Sequence, residues 1–130
     1  MSKMVMSEPE IYQLVESCLV ANGCDSANAS ALARTISAAE RDGCASHGLF
    51  RMPGYIASLR SGKVDGCATP TVERISPAVV RVDGHGGYAP LALERGRDAL
   101  IEAARENGIA AMALINLHHF AALWAEVEPI

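Results

Sequence analysis

The sequence predicts an α+β fold: an N-terminal helical segment followed by a β-hairpin, a further helix and a buried strand. Three observations carry this. Apolar residues recur at helical spacing through 11–19, 29–36 and 49–59. Two β-branched runs, 71–75 and 78–83, flank the Ser76-Pro77 turn. A nearly continuous apolar run, 109–117, follows the clearest helical pattern, 90–107. Half of the 130 residues are apolar and a fifth are charged, which suits one packed domain rather than a disordered chain. The change of pattern divides the chain into a helical segment, 1–62, and a strand-and-helix region, 63–130.

Taken in order, Ser7 and Glu10 have the spacing of a capping box, and Pro9 fits a first turn. Ile11, Leu14, Val15, Cys18 and Leu19 then keep helical period until Asn22-Gly23 stops it. Asp25 or Ser26 opens a second helix, with Ala29, Leu32, Ala33 and Ile36 on its apolar face and Arg41-Asp42-Gly43 at its end. The short link predicts an antiparallel pair. Leu49, Met52, Ile56 and Leu59 predict a third helix from about His47 to Arg60. Pro53 conflicts with that span, since a proline inside a helix removes a donor and kinks the chain. Residues 63–70 read as a loop, the next two runs as a hairpin or meander, and Gly84-His85-Gly86-Gly87 as a break. Pro90 to Asn107 is a helix closed by Asn107-Gly108. Ile109 to Leu117 suits a strand buried on both faces. Such a strand needs neighbours, so the expectation is that the fold continues past Ile130 and that this chain is truncated.

Charge and composition exclude several functions. A net charge of −4, with scattered Lys and Arg, argues against a nucleic-acid surface. The uncharged run from Gly108 to Ala125 includes Asn116, His118 and His119, which argues against a membrane span. The first residues lack the apolar core of a signal peptide, so a cytoplasmic chain is expected. Cys18, Cys24, Cys44 and Cys67 form no CxxC, and four free thiols are expected rather than a zinc site or redox pair.

The densest chemistry lies in Ser46-His47-Gly48 with Arg51. Imidazole exchanges a proton near neutral pH, guanidinium grips a carboxylate bidentately, and the Ser46 hydroxyl could fix the imidazole tautomer. On a helix beginning at His47, Arg51 would share its face. Spacing alone favours the blander reading of a helix capped by Ser46, with a surface imidazole and a solvated arginine. His118-His119-Phe120 sits at a strand exit where ligands bind, and equally reads as an exposed loop. Adjacent histidines diverge and no carboxylate stands at ligand spacing, so no metal is expected. Gly84 to Gly87 is neither GxGxxG nor a Walker loop.

The run Arg41-Asp42-Gly43, then Ser46-His47-Gly48-Leu49-Phe50-Arg51-Met52-Pro53-Gly54-Tyr55, resembles the signature of the type-2 malate/lactate dehydrogenase family. The later segment Ile109 to Leu123, a strand and an HF-containing turn, resembles a second family segment at a fitting distance. Within the family, His118 to Trp124 with Val127-Glu128-Pro129 looks most like the Δ1-piperideine-2-carboxylate/Δ1-pyrroline-2-carboxylate reductases. Most malate or lactate members carry Gly where this chain has Ala121.

The resemblance implies a partial version of the family's non-Rossmann NAD(P)-dependent fold, a homodimer, and NADPH or NADH as cofactor. It implies that 1–62 serves substrate and dimer contacts and that 63–130 begins the cofactor-binding region. It makes Ser46 and His47 the catalytic relay, Arg51 the ligand of the substrate carboxylate, and His119, Phe120, Ala121, Ala122 and Leu123 part of the cofactor site. The relay's Asp lies beyond residue 130 in the family. The implied reaction is reduction of a cyclic imino acid by hydride transfer to C=N. Alternatives are a 2-oxo acid substrate, as in malate or lactate dehydrogenases, and a non-catalytic dimerisation fragment.

Overall fold

The computed structural model describes residues 4–119 and 121–130. The chain begins with α1 (Glu8–Ala21) and α2 (Ser26–Arg41) and ends its helical part with α3 (Met52–Arg60). At the start of α1, Glu10 reaches back to the Ser7 N–H at 2.7 Å and to its hydroxyl at 2.7 Å. The Asp25 carboxylate caps α2 by accepting the Asn28 N–H. All three helices end in the same way. A glycine with positive φ follows the cap, at Gly23, Gly43 and Gly62. The next residue then donates back to the helix: Cys24 to the Leu19 carbonyl, Cys44 to Ala39 and Lys63 to Ser58. These closures satisfy last-turn carbonyls and turn the chain sharply.

The α1–α2 pair buries Val15 and Leu19 against Ala29, Leu32, Ala33 and Ile36. Alanines on α2 let the neighbouring helix approach closely. Tyr55 of α3, Val64 and Tyr88 complete this first core. A second core lies between a sheet and a helix. β1 (Thr71–Ser76) pairs antiparallel with β2 (Val79–Asp83), with an irregularity between Arg74 and Ser76. β2 pairs parallel with β3 (Ala111–Ile115) through the crossover helix α4 (Ala89–Asn107). Val80 and Val82 are fully buried beneath Ala92 and Ala103 of α4, with Met112 and Leu114 alongside. Gly96 permits the close approach: a Cβ there would lie 2.6 Å from Val82 Cγ2. The described chain closes with one short turn of helix, α5 (Trp124–Val127).

Two expectations are corrected. The third helix begins at Met52, not His47, because the chain first makes two 3₁₀ turns, Ala45–His47 and Leu49–Arg51. Pro53 thereby falls in the first turn of α3, where its missing donor is of no consequence. The strand expected to be buried on both faces is also different. β3 alternates between exposed and half-buried residues and lies at the end of the sheet order β1-β2-β3. Only α4 covers it, on the side of Met112 and Leu114; Ala111, Ala113 and Ile115 face outward among the described residues. Among the described residues, no helix is long and apolar enough to cross a membrane.

Candidate functional site

The Ser46–Arg51 stretch hangs from the end of α2. Gly43 reverses the chain, and the Cys44 N–H bond to the Ala39 carbonyl, 2.7 Å, fixes the direction of departure. His47 N–H then bonds the Cys44 carbonyl at 2.8 Å, closing the first turn, and Arg51 N–H bonds the Gly48 carbonyl at 3.0 Å, closing the second. Ser46 lies inside the first turn rather than capping a helix. His47 and Arg51 consequently come from successive tight turns and not from one helix face.

The structure nonetheless brings the three predicted residues together. Ser46 Oγ lies 3.0 Å from His47 Nδ1. Arg51 Nε donates to the Ser46 carbonyl at 2.9 Å. Ser46 is therefore bonded by its side chain to the imidazole and by its backbone to the guanidinium. When the hydroxyl donates to Nδ1, the imidazole proton sits on Nε2; when it accepts, Nε2 is an acceptor. One rotatable hydroxyl thus suits either tautomer of the ring. The Arg51 guanidinium is committed through its Nε to the Ser46 backbone. The Phe50 ring, 74% exposed, lies beside it, 5.8 Å from its centroid to the Arg51 guanidinium carbon.

The second predicted segment leaves β3 through Asn116, whose φ is 52°. It then runs beside the Gly84–Gly87 turn: Gly86 donates to the Asn116 carbonyl, His118 to Gly87, and Ala89 to His118. Gly84 has no room for a side chain, since a Cβ would lie 2.7 Å from Leu117 Cβ. His119 is exposed and paired with Glu126. Ala121 borders a groove of about 730 Å³ that also touches Tyr12, Arg34, Arg97 and Trp124. Ala122 is buried, Leu123 is 70% exposed, and Phe120 lies outside the described residues.

Two residues absent from the sequence reading tie these parts together. Tyr88 is buried at the start of α4; its hydroxyl donates to the Tyr55 carbonyl at 2.8 Å, and its ring meets Tyr55 edge-on at 5.4 Å. The same ring also meets His118, 6.0 Å between centroids. Burial, then the Lys63 and His119 charges, hold the His118 pKa below its ordinary value. Burial pushes the Tyr55 hydroxyl up to about 12, against a smaller opposing effect of Arg51. The helix that follows Arg51 is thus joined, through Tyr55, Tyr88 and His118, to the residue that precedes the predicted cofactor segment. The second missed residue is Glu40, whose Oε1 accepts the Leu49 N–H at 2.7 Å. Neither stands at a periodic distance from the residues it serves, so spacing held no signal for them.

Comparison with known proteins finds relatives along nearly the whole of this chain. The family model for malate/L-lactate dehydrogenases matches residues 6–130. A Δ1-pyrroline-2-carboxylate reductase of Ancylobacter novellus is 52% identical over 124 residues, 95% of this chain and 36% of that protein. A Δ1-pyrroline-2-carboxylate/Δ1-piperideine-2-carboxylate reductase of Pseudomonas putida is 49% identical over 92% of this chain and 35% of its own length. The crystal structure of a Δ1-piperideine-2-carboxylate reductase from Pseudomonas syringae superposes with a TM-score of 0.94 at 46% identity, covering 98% of this chain and 38% of that one. The chain spans little more than a third of the length of the relatives it matches. The family match over nearly the whole sequence settles the affiliation: this chain belongs to the malate/L-lactate dehydrogenase family.

Proposed function

We propose that this chain is the substrate-gripping portion of an NADPH-dependent reductase of cyclic imino acids, converting Δ1-piperideine-2-carboxylate to pipecolate and Δ1-pyrroline-2-carboxylate to proline. The observation that carries the reading is the double engagement of Ser46, with His47 on its hydroxyl and Arg51 on its carbonyl. The names of the similar reductases supply the substrate class.

In this reading Arg51 holds the carboxylate of the cyclic imine. Two parallel hydrogen bonds fix the plane of that group, and with it the orientation of the adjacent C=N carbon. His47 supplies the proton that accompanies reduction at nitrogen, and Ser46 holds the imidazole tautomer through Nδ1. A bound dihydronicotinamide supplies the hydride. Residues 119–123 contain one imidazole and no ammonium or guanidinium, so their chemistry fits an uncharged part of a dinucleotide rather than its phosphates. Ala121 and Leu123 offer apolar surface there, whereas buried Ala122 serves through its backbone.

Residues 1–62 provide substrate and dimer contacts in this reading, 63–130 begin the cofactor region, and the enzyme is a cytoplasmic homodimer. The test is loss of NADPH absorbance on adding Δ1-piperideine-2-carboxylate to the product of the complete reading frame, compared with NADH and with 2-oxo acids. Preferred turnover of the cyclic imine is the expected result. Preference for a 2-oxo acid would transfer the same residues to a C=O substrate. For Arg51→Ala the expected loss in kcat/KM is on the order of a hundredfold or more, from removal of a bidentate ion pair.

A further inference from the structure

We propose that Glu40 is a positioning residue for the His47–Arg51 pair: from the last turn of α2 its carboxylate anchors the second 3₁₀ turn and occupies the space beside Gly48 that a side chain would need. The proposal rests on the reading of Ser46, His47 and Arg51 as the substrate site.

Both turns that carry the pair are fastened to neighbouring residues of α2. The first hangs from the Ala39 carbonyl through Cys44 N–H. The second hangs from the Glu40 carboxylate through Leu49 N–H, 2.7 Å. Leu49 begins that turn, so its N–H has no acceptor within it. A charged acceptor makes this bond stronger than one between neutral groups. The separation of His47 from Arg51 is thereby set by consecutive residues of a rigid helix.

Gly48 supplies independent geometric support. A Cβ at position 48 would lie 2.1 Å from Glu40 Oε1 and 2.5 Å from its Cδ. A side chain at 48 would displace the Glu40 carboxylate from the position in which it accepts the Leu49 N–H. Glycine between His47 and Leu49 is therefore the complement of Glu40. The two are one device, split across a chain reversal.

The experiment uses amide exchange and side-chain NMR on the 130-residue chain. Glu40→Ala should reduce protection of the Leu49 amide on the order of ten- to a hundredfold, the loss of a hydrogen bond to a charged group. It should also shift the His47 imidazole and Arg51 Nε–H signals, while core amides such as Leu19 and Leu32 keep their protection. Glu40→Gln retains an acceptor oxygen and should restore most of both effects, and it covers the case in which the alanine variant fails to fold. Gly48→Ala should displace the same signals beside Glu40, but add little in the Glu40→Ala background. A purely structural role would lower the melting temperature and leave the His47 and Arg51 signals of the folded chain in place. That result, or an equal effect of Gly48→Ala in both backgrounds, overturns the proposal. Titration of the unmutated product of the complete reading frame with L-pipecolate tests the site reading separately. In the product of the complete reading frame, L-pipecolate that left the His47 and Arg51 signals unmoved would count against the substrate site and leave the Glu40 coupling standing.

Discussion

His118 is half-buried against the Tyr88 ring, and burial foremost, then Lys63 and His119, lowers its pKa. The folded chain therefore prefers the neutral imidazole. The unfolded chain takes up the proton first as pH falls below the ordinary histidine value of about 6.5. The corresponding stability is fully present above that pH and is lost on acidification toward the lowered folded pKa. His118→Phe should make the melting temperature fall less steeply between about pH 8 and pH 5 than in the unmutated chain. Parallel curves would show that the Tyr88 contact does not discriminate between the two imidazole forms. Cys24 offers a second check at this scale. It is 5% exposed, and burial foremost, then Asp25 and Cys67, pushes its thiol up to about 11. Iodoacetamide at mildly alkaline pH should alkylate exposed Cys67 at once, with Cys24 slower by a factor on the order of a hundred. Among single residues, the grouping of Ser46, His47 and Arg51 as a candidate site was legible because chemistry-bearing types crowd into one short stretch. Glu40 was not: it meets Leu49 only because Gly43 turns the chain back, and no periodicity encodes that reversal.

At the scale of elements, local grammar marked most boundaries. The box at Ser7, the cap at Asp25 and the glycines after each helix are backbone chemistry written directly in residue types. The two failures concern context. Helical period across 49–59 could not show that its first residues wind as 3₁₀ turns, because both windings place apolar side chains at i+3. An apolar run likewise cannot state how many layers will cover it, and β3 has one. Contact between elements is where stability is testable. A Cβ on Gly96 would lie 2.4 Å from Met112 Sδ and 2.6 Å from Val82 Cγ2. The thioether can move aside, but fully buried, branched Val82 cannot. Gly96→Ala should therefore destabilise by about 1–2 kcal/mol, with overpacking exceeding the roughly 1 kcal/mol gained in helix propensity. Chemical denaturation checks the sign; a stabilised variant would mean that α4 lifts off the sheet freely.

The whole molecule is asymmetric about its sheet. One face carries α4 and the second core; the other carries Glu73 paired with Arg81, then Ala111, Ala113 and Ile115. The two outer edges differ in kind. β1 is dressed with charge, since Glu73 pairs with Arg81 and Arg74 with Glu106. β3 has neither charge nor proline from Ile109 to Leu117, and among the described residues no strand pairs with its outer edge. Ile109 is 77% exposed and Ile115 37%. A flat, uncharged apolar edge is a template for strand pairing between molecules. The 130-residue chain on its own should accordingly self-associate as concentration rises. Register names the substitution that isolates the cause. Ala113 lies opposite Arg81 on the outward face, so Ala113→Glu places a carboxylate beside a guanidinium while charging the edge. Its effect on stability should be within about 0.5 kcal/mol, as for surface changes generally, and sedimentation should show the monomer persisting to higher concentration. Met112→Glu, one residue away, aims the same charge into the core with Val80 and Val82 and should unfold the chain. If Ala113→Glu folds normally yet associates like the unmutated chain, the contact lies elsewhere, with the exposed Leu14 and Val20 of α1 next to be charged.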